Sequence, residues 1–181
     1  MGKAKLPAVV ATAVAVPVAA VAGVVVFDLI EPAAEDSRFD EDLSAVSVDV
    51  PQLSDEDAVL CLAMTAKAPE SAAGLQARSV EGGEHASEFA LAYGDPAVVA
   101  TCGAEAVEVE DTAVVYVLDG VCWFTDEADG EGTEWTTVDR QVPVGVTVPA
   151  AYEQPVDVLN ELSGAIGEAV PVAEGAPSGC S

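Results

Sequence analysis

Between Leu6 and Phe27 the chain runs for 22 residues without a charged side chain. No other feature restricts its fold so strongly. A helix of that length, rising about 1.5 Å per residue, matches the roughly 30 Å hydrocarbon core of a bilayer. Lys3 and Lys5 precede the run, and Asp28, Glu31, Glu35 and Asp36 follow it. Lysines stay on the cytoplasmic side, so residues 1–30 read as a single-pass signal anchor that meets the bilayer through residues 6–27. The N-terminus is then cytoplasmic, and everything after Ile30 is extracytoplasmic. Pro7 falls in the first turn, and Pro17 is tolerable as a kink. The competing reading is a cleaved signal peptide with Ala20-Val21-Ala22 as its cleavage motif. Such peptides carry an apolar stretch of only about 7–15 residues, whereas here Val24, Val25, Val26 and Phe27 continue the run past the motif. Both readings export the rest of the chain.

Charge narrows the function. The 181 residues hold 32 acids, 6 bases and one histidine. From Glu31 onward there are 31 acids against four bases, Arg38, Lys67, Arg78 and Arg140. Nucleic-acid binding is excluded, because neutralising a phosphate backbone requires clustered Lys and Arg. A lone histidine argues against His-based metal sites and His-dependent triads. A hydrophobic content of 51% argues against a wholly disordered chain. Adaptation to high salt, or plain solubility, would produce the same acidity.

Export places Cys61, Cys102, Cys122 and Cys180 in an oxidising compartment, where four cysteines suit two disulfides with three possible connectivities. No two of them form a C-x-x-C. The preferred pairing is Cys102 with Cys122, joining neighbouring strands, and Cys61 with Cys180, fastening the tail to the first helix.

Residues 31–51 are acidic and poor in large apolar side chains, and read as an extended linker. A domain is expected over residues 52–170, followed by a C-terminal tail, residues 171–181, that carries Cys180. Ser54 is a candidate N-cap with Asp55, Glu56 and Asp57 in the first turn. The helix it opens is expected to bury Val59, Leu60, Ala63 and Met64 and to stop before Pro69. Glu70 to Gly83 gives no periodic signal. Beyond it the pattern turns to period two: a strand over Ala97 to Cys102, then Ala113 to Leu118 and Val121 to Thr125 around the hairpin pair Asp119-Gly120. After an acidic loop from Asp126 to Glu134, Trp135 to Asp139 leads into Val142, Val144, Val146 and Val148 on one strand face. A last helix runs from about Pro155 to Glu168. The expected fold is α+β: a small antiparallel sheet of four or five strands packed with two helices.

Several of these stretches together resemble one family. They are Ala92-Tyr93-Gly94-Asp95-Pro96, Cys102-Gly103, Leu118-Asp119-Gly120-Val121-Cys122-Trp123-Phe124, Thr136-Thr137-Val138-Asp139-Arg140, Val146-Thr147-Val148-Pro149 and Tyr152. They are similar to the actinobacterial envelope proteins grouped as domain of unknown function 3515, over about residues 55–170, and the resemblance includes the N-terminal hydrophobic segment. Tyr93 stands where that family usually shows Trp, Thr101 where it shows Arg, and Cys122 where it has a non-cysteine residue. The resemblance implies an exported or membrane-anchored envelope protein and no assigned activity.

The chemistry-bearing candidates are few. Glu84-His85-Ala86-Ser87-Glu88 places a Ser, a His and a Glu close together, but no nucleophile elbow accompanies them. The loop Asp126-Glu127-Ala128-Asp129-Gly130-Glu131 hints at calcium. Setting Gly130 at position 6 of an EF-hand leaves Thr125 and Thr136 where acids are required, so the motif fails. Accordingly no catalytic, cofactor or metal residue is assigned. Arg140 and Trp135 are the candidate partner contacts, Arg140 because arginine is enriched at interface hot spots and Trp135 because it borders a loop. For Arg140, an internal ion pair with Asp139 is the plainer expectation. Together these readings predict a non-catalytic, single-span accessory or assembly subunit of an envelope membrane complex, with a respiratory complex foremost. The alternative is a free-standing cell-envelope ligand-binding module. A wall hydrolase working through two carboxylates is a third possibility, and would require one raised carboxyl pKa.

Overall fold

The computed structural model describes residues 42–110, 112–125 and 130–180. The expected anchor at 6–27, most of the 31–51 linker and the acids at 126–129 lie outside the described residues. Among those described, no helix is long and apolar enough to cross a membrane.

Ten strands and three helices follow in order: β1 (Val46–Val48), α1 (Asp55–Lys67), β2 (Ser71–Ala72), β3 (Leu75–Arg78), β4 (Val80–Gly82), α2 (Ala86–Phe89), β5 (Ala90–Tyr93), β6 (Val98–Cys102), β7 (Tyr116–Leu118), β8 (Val121–Thr125), β9 (Gly132–Thr137), β10 (Val144–Pro149) and α3 (Pro155–Ala169). A short 3₁₀ turn, Ser178–Cys180, closes the described chain. Eight strands form one sheet in the order β2-β3-β5-β6-β10-β9-β8-β7, and β1 pairs in parallel with β4 in a separate ribbon. The α+β class holds, but the sheet is larger than four or five strands. The extra strands come mainly from residues 71–82, where two- to four-residue strands are too short to display a period. Strand β1 carries a signal in the sequence, since Val46, Val48 and Val50 alternate with Ser47 and Asp49 inside the stretch expected to be linker.

After β6 the next strand, β7, lies at the far edge. The chain returns as the meander β7-β8-β9-β10, so that β10 docks beside β6 in antiparallel register, Val144 opposite Cys102 and Val146 opposite Ala100. The β7–β8 connection is the expected Asp119-Gly120 turn. Both residues have positive φ, 43° and 76°, as a type I′ hairpin requires.

One sheet face carries Val98, Ala100, Cys102, Val144, Val146, Val148, Trp135, Thr137 and Trp123, all buried. Helix α3 contributes Val158, Leu159, Leu162 and Ile166 to the same core, and α1 contributes Cys61 and Met64. The Trp123 indole donates to Ser163 Oγ at 2.9 Å, and that hydroxyl donates to the Leu159 carbonyl at 2.7 Å. The tryptophan N–H is thereby satisfied inside an apolar core. Val59 departs from expectation: it is 66% exposed. The run Val59-Leu60-Cys61-Leu62-Ala63-Met64 is apolar all round the helix, and a helix lying on a sheet covers only one side.

The disulfides are Cys61–Cys102 and Cys122–Cys180, with Cα separations of 5.5 and 5.4 Å. This corrects the pairing expected from sequence. Cys102 lies on β6 and Cys122 on β8, with β10 and β9 between them. Three strand spacings of about 4.8 Å exceed the roughly 7 Å limit of a disulfide. Moreover Cys102 shares the face of Trp123, so its neighbour Cys122 points to the opposite face. Helix α1 lies over the first face and supplies Cys61. The tail rounds the 139–141 turn, where Ala173 N–H donates to the Asp139 carbonyl and Gln141 N–H to the Pro171 carbonyl, and it brings Cys180 to the second.

Candidate functional site

An open groove of about 560 Å³ separates the first half of α1 from two loops. Its apolar lining comes from Val50 and Leu53 ahead of the helix, from Ala58, Val59 and Leu62 on the helix, and from Phe89 of α2. Ser54 starts the helix: its Oγ accepts from Asp57 N–H at 3.2 Å. Val59 and Leu62, spaced by three, form an exposed ridge along the groove, and Leu62 is 49% exposed. Asp49, Asp55, Glu84 and Glu88 stand round the rim with His85.

The loop opposite the ridge is held in place by contacts at both ends. A Cβ on Gly82 (φ 142°) would sit 2.3 Å from the Val48 carbonyl oxygen, so only glycine lets β4 pass this close to β1. Thr65 Oγ1 of α1 donates to the Glu88 carbonyl at 2.9 Å, which fastens α2 to α1. His85 adopts the left-handed conformation, φ 67°. Its Nδ1 lies 2.6 Å from Glu88 Oε2, and its ring stacks on Phe89 with centroids 5.5 Å apart. No serine–histidine pair forms here: the imidazole meets Glu88, and Ser87 lines a second cavity beyond α2 with Thr65 and Tyr93.

The candidate partner contacts lie inside the fold. Arg140 is 7% exposed and Asp139 4%. Arg140 Nε and Nη2 donate to the two Asp139 carboxylate oxygens at 3.1 Å each. Nη1 donates to the Val170 carbonyl at 3.1 Å, and Nη2 also donates to the Gly120 carbonyl. One guanidinium thus ties the β7–β8 turn to the end of α3, and its donors face no partner. Trp135 is 5% exposed, its ring is met edge-on by Tyr116 at 5.2 Å, and its N–H donates to Thr133 Oγ1. The groove is not legible in the sequence, because Val59 reads as a core residue and nothing in the unbroken apolar run singles out Leu62 as surface.

The other two described cations are also engaged internally. Arg78 donates from Nε and Nη2 to the Ser44 carbonyl at 3.0 and 2.8 Å and from Nη1 to the Gly94 carbonyl at 2.8 Å, pinning the incoming chain to the sheet. Lys67 joins α1 to α3 through Glu168 at 2.8 Å. That ammonium holds the Glu168 carboxyl below its ordinary pKa, and the Ser44 N–H does the same for Asp42. Both shifts run opposite to the one a general acid needs. Among the described residues, no group of three or more His, Cys, Asp or Glu side chains is placed to hold a metal ion.

A family model described as a protein of unknown function, DUF3515, matches residues 14–175. The chain belongs to that family. No curated protein and no solved structure matches it. Several of the residues that carry the family resemblance serve the fold: Gly120 and Arg140 at the hairpin clamp, Trp123 in the core, and Tyr152, whose hydroxyl donates to the Pro96 carbonyl at 2.7 Å.

Proposed function

We propose that this protein is a non-catalytic accessory or assembly subunit of a membrane complex in the cell envelope. Residues 6–27 anchor it in the bilayer and its acidic domain stands on the outer face. The observation that supports this most is the fate of the cations. Arg78 and Arg140 are buried in bonds within the fold, and Lys67, though exposed, is paired with Glu168, so the described surface turns acids outward with little to offset them. Within a Debye length of about 10 Å, such a field repels anionic headgroups and wall phosphates and draws a basic protein face. Two disulfides suit an oxidising compartment outside the cytoplasm. A respiratory assembly is the complex to test first, on the electrostatic argument that an electron-carrier domain with a basic docking face would be drawn to this field.

The groove favours a second reading, a free-standing envelope ligand-binding module, since its volume falls within the usual range of small-molecule sites. The deciding experiment is affinity purification of the tagged full-length chain from membranes in mild detergent, at low and high salt. Near-stoichiometric recovery of a multi-subunit complex, weakened by salt, is the expected result. Recovery of the protein alone at both salts would overturn the subunit reading and leave the binding module.

A further inference from the structure

We propose that the groove beside α1 receives a short amphipathic helix of a partner protein, with apolar side chains along one face and Lys or Arg at its margins. The inference deepens the subunit reading above and rests on it. Val59 and Leu62 are the exposed large apolar side chains of α1, and both border this groove. Both leave apolar surface in water that a partner could cover.

The chemistry of the occupant follows from the rim. Asp49, Asp55, Glu84 and Glu88 surround the apolar strip, and none of the three described Lys and Arg side chains lines it. An acidic or phosphorylated segment is repelled, whereas a segment flanked by basic side chains pairs with the rim while its apolar face covers the ridge. The walls select a helix over an extended strand. They are α1, the last two residues of α2 and side chains from two loops, and none of the described residues lining the groove lies in a strand that could extend a backbone ladder. Apolar anchors at helical spacing are how such grooves are filled. The site is preorganised, because the Cys61–Cys102 bridge, the Thr65–Glu88 hydrogen bond and the Gly82–Val48 contact fix its walls before anything binds.

The test uses the full chain in zwitterionic nanodiscs, with empty nanodiscs as baseline, and two fluorescent synthetic peptides of equal Leu and Lys content. One gathers its leucines on a single helical face; the other scatters them. Anisotropy titration is expected to show the faced peptide binding about tenfold more tightly than the scattered one. Val59→Ser with Leu62→Ser should remove that preference, and Asp55→Asn with Glu84→Gln should weaken binding and flatten its salt dependence. The ridge residues are exposed, so their replacement leaves the fold intact, and an unchanged circular dichroism spectrum checks this. Equal binding of the two peptides, or an unchanged preference in the ridge variant, would overturn the proposal. Purification from membranes separates the two readings. A complex retained equally by native and ridge-variant protein overturns the groove proposal alone. Absence of any complex with the native chain overturns the subunit reading, while the peptide titration still decides the groove.

Discussion

Arg140 has four partners in three separate parts of the chain: both Asp139 oxygens, the Val170 carbonyl and the Gly120 carbonyl. Removing it leaves a buried carboxylate and two carbonyls without their donor. Arg140→Met should therefore destabilise the domain by about 3–5 kcal/mol in a denaturant titration, and adding Asp139→Asn should recover part of that loss. Arg140→Lys should recover less, because one ammonium cannot reproduce the planar fork. Tyr93 illustrates a different effect. Its hydroxyl donates to the Pro69 carbonyl at 3.0 Å, and burial pushes its pKa up to about 12. The unfolded chain loses this proton near its ordinary pKa of about 10, so the contribution to stability is complete below that pH and is lost as pH rises towards 12. Alkaline unfolding followed by phenolate absorbance should accordingly come at higher pH, relative to neutral stability, in Tyr93→Phe.

Among the elements, α1 shows most plainly what its sequence could and could not specify. Its start was legible, since Ser54 followed by three acids satisfies free N–H groups and the helix dipole, and Ser54→Ala should cost about 1 kcal/mol in a thermal melt. Its orientation was not, because two turns of unbroken apolar residues define no single face. The Cys61–Cys102 disulfide settles that orientation, fixing the helix on the sheet and leaving Val59 and Leu62 outside. Closing a loop of this 41-residue separation corresponds to about 4 kcal/mol on the chain-entropy model, so Cys61→Ala with Cys102→Ala should lower the unfolding free energy by up to that amount. At the opposite edge of the sheet, Tyr116 of β7 covers Trp135. Tyr116→Ala should uncover the indole and red-shift its emission, with little loss of stability.

At the scale of the whole molecule, the decisive event is the return of β7-β8-β9-β10 to β6. It separates Cys102 from Cys122 by two intervening strands and hands each a different partner, which non-reducing peptide mapping should recover as Cys61–Cys102 and Cys122–Cys180. The same folding buries Arg78 and Arg140 and leaves Lys67 paired with Glu168 at the surface, so excess acids face one another across it. Their repulsion should be relieved by salt. The melting temperature is expected to rise by several degrees between low salt and about 1 M NaCl, where screening reaches only about 3 Å.

Local physics made much of this chain legible by itself. The alternation from Val121 to Thr125 sets strand β8 at its observed limits, Asp119-Gly120 specifies the turn because few other pairs accept positive φ twice, and the apolar spacing after Pro155 places α3 to within a residue. Family membership was legible too, since it rests on residue identities alone. The internal Arg140–Asp139 pair was legible as well, as the plainer expectation for that arginine. The tertiary structure alone decided the strand count, the disulfide partners and the groove. Strands of two to four residues have no period to detect, and cysteine pairing depends on which strands become neighbours. Whether an apolar residue is core or surface depends on what the fold lays over it, and only the folded chain leaves Val59 and Leu62 uncovered.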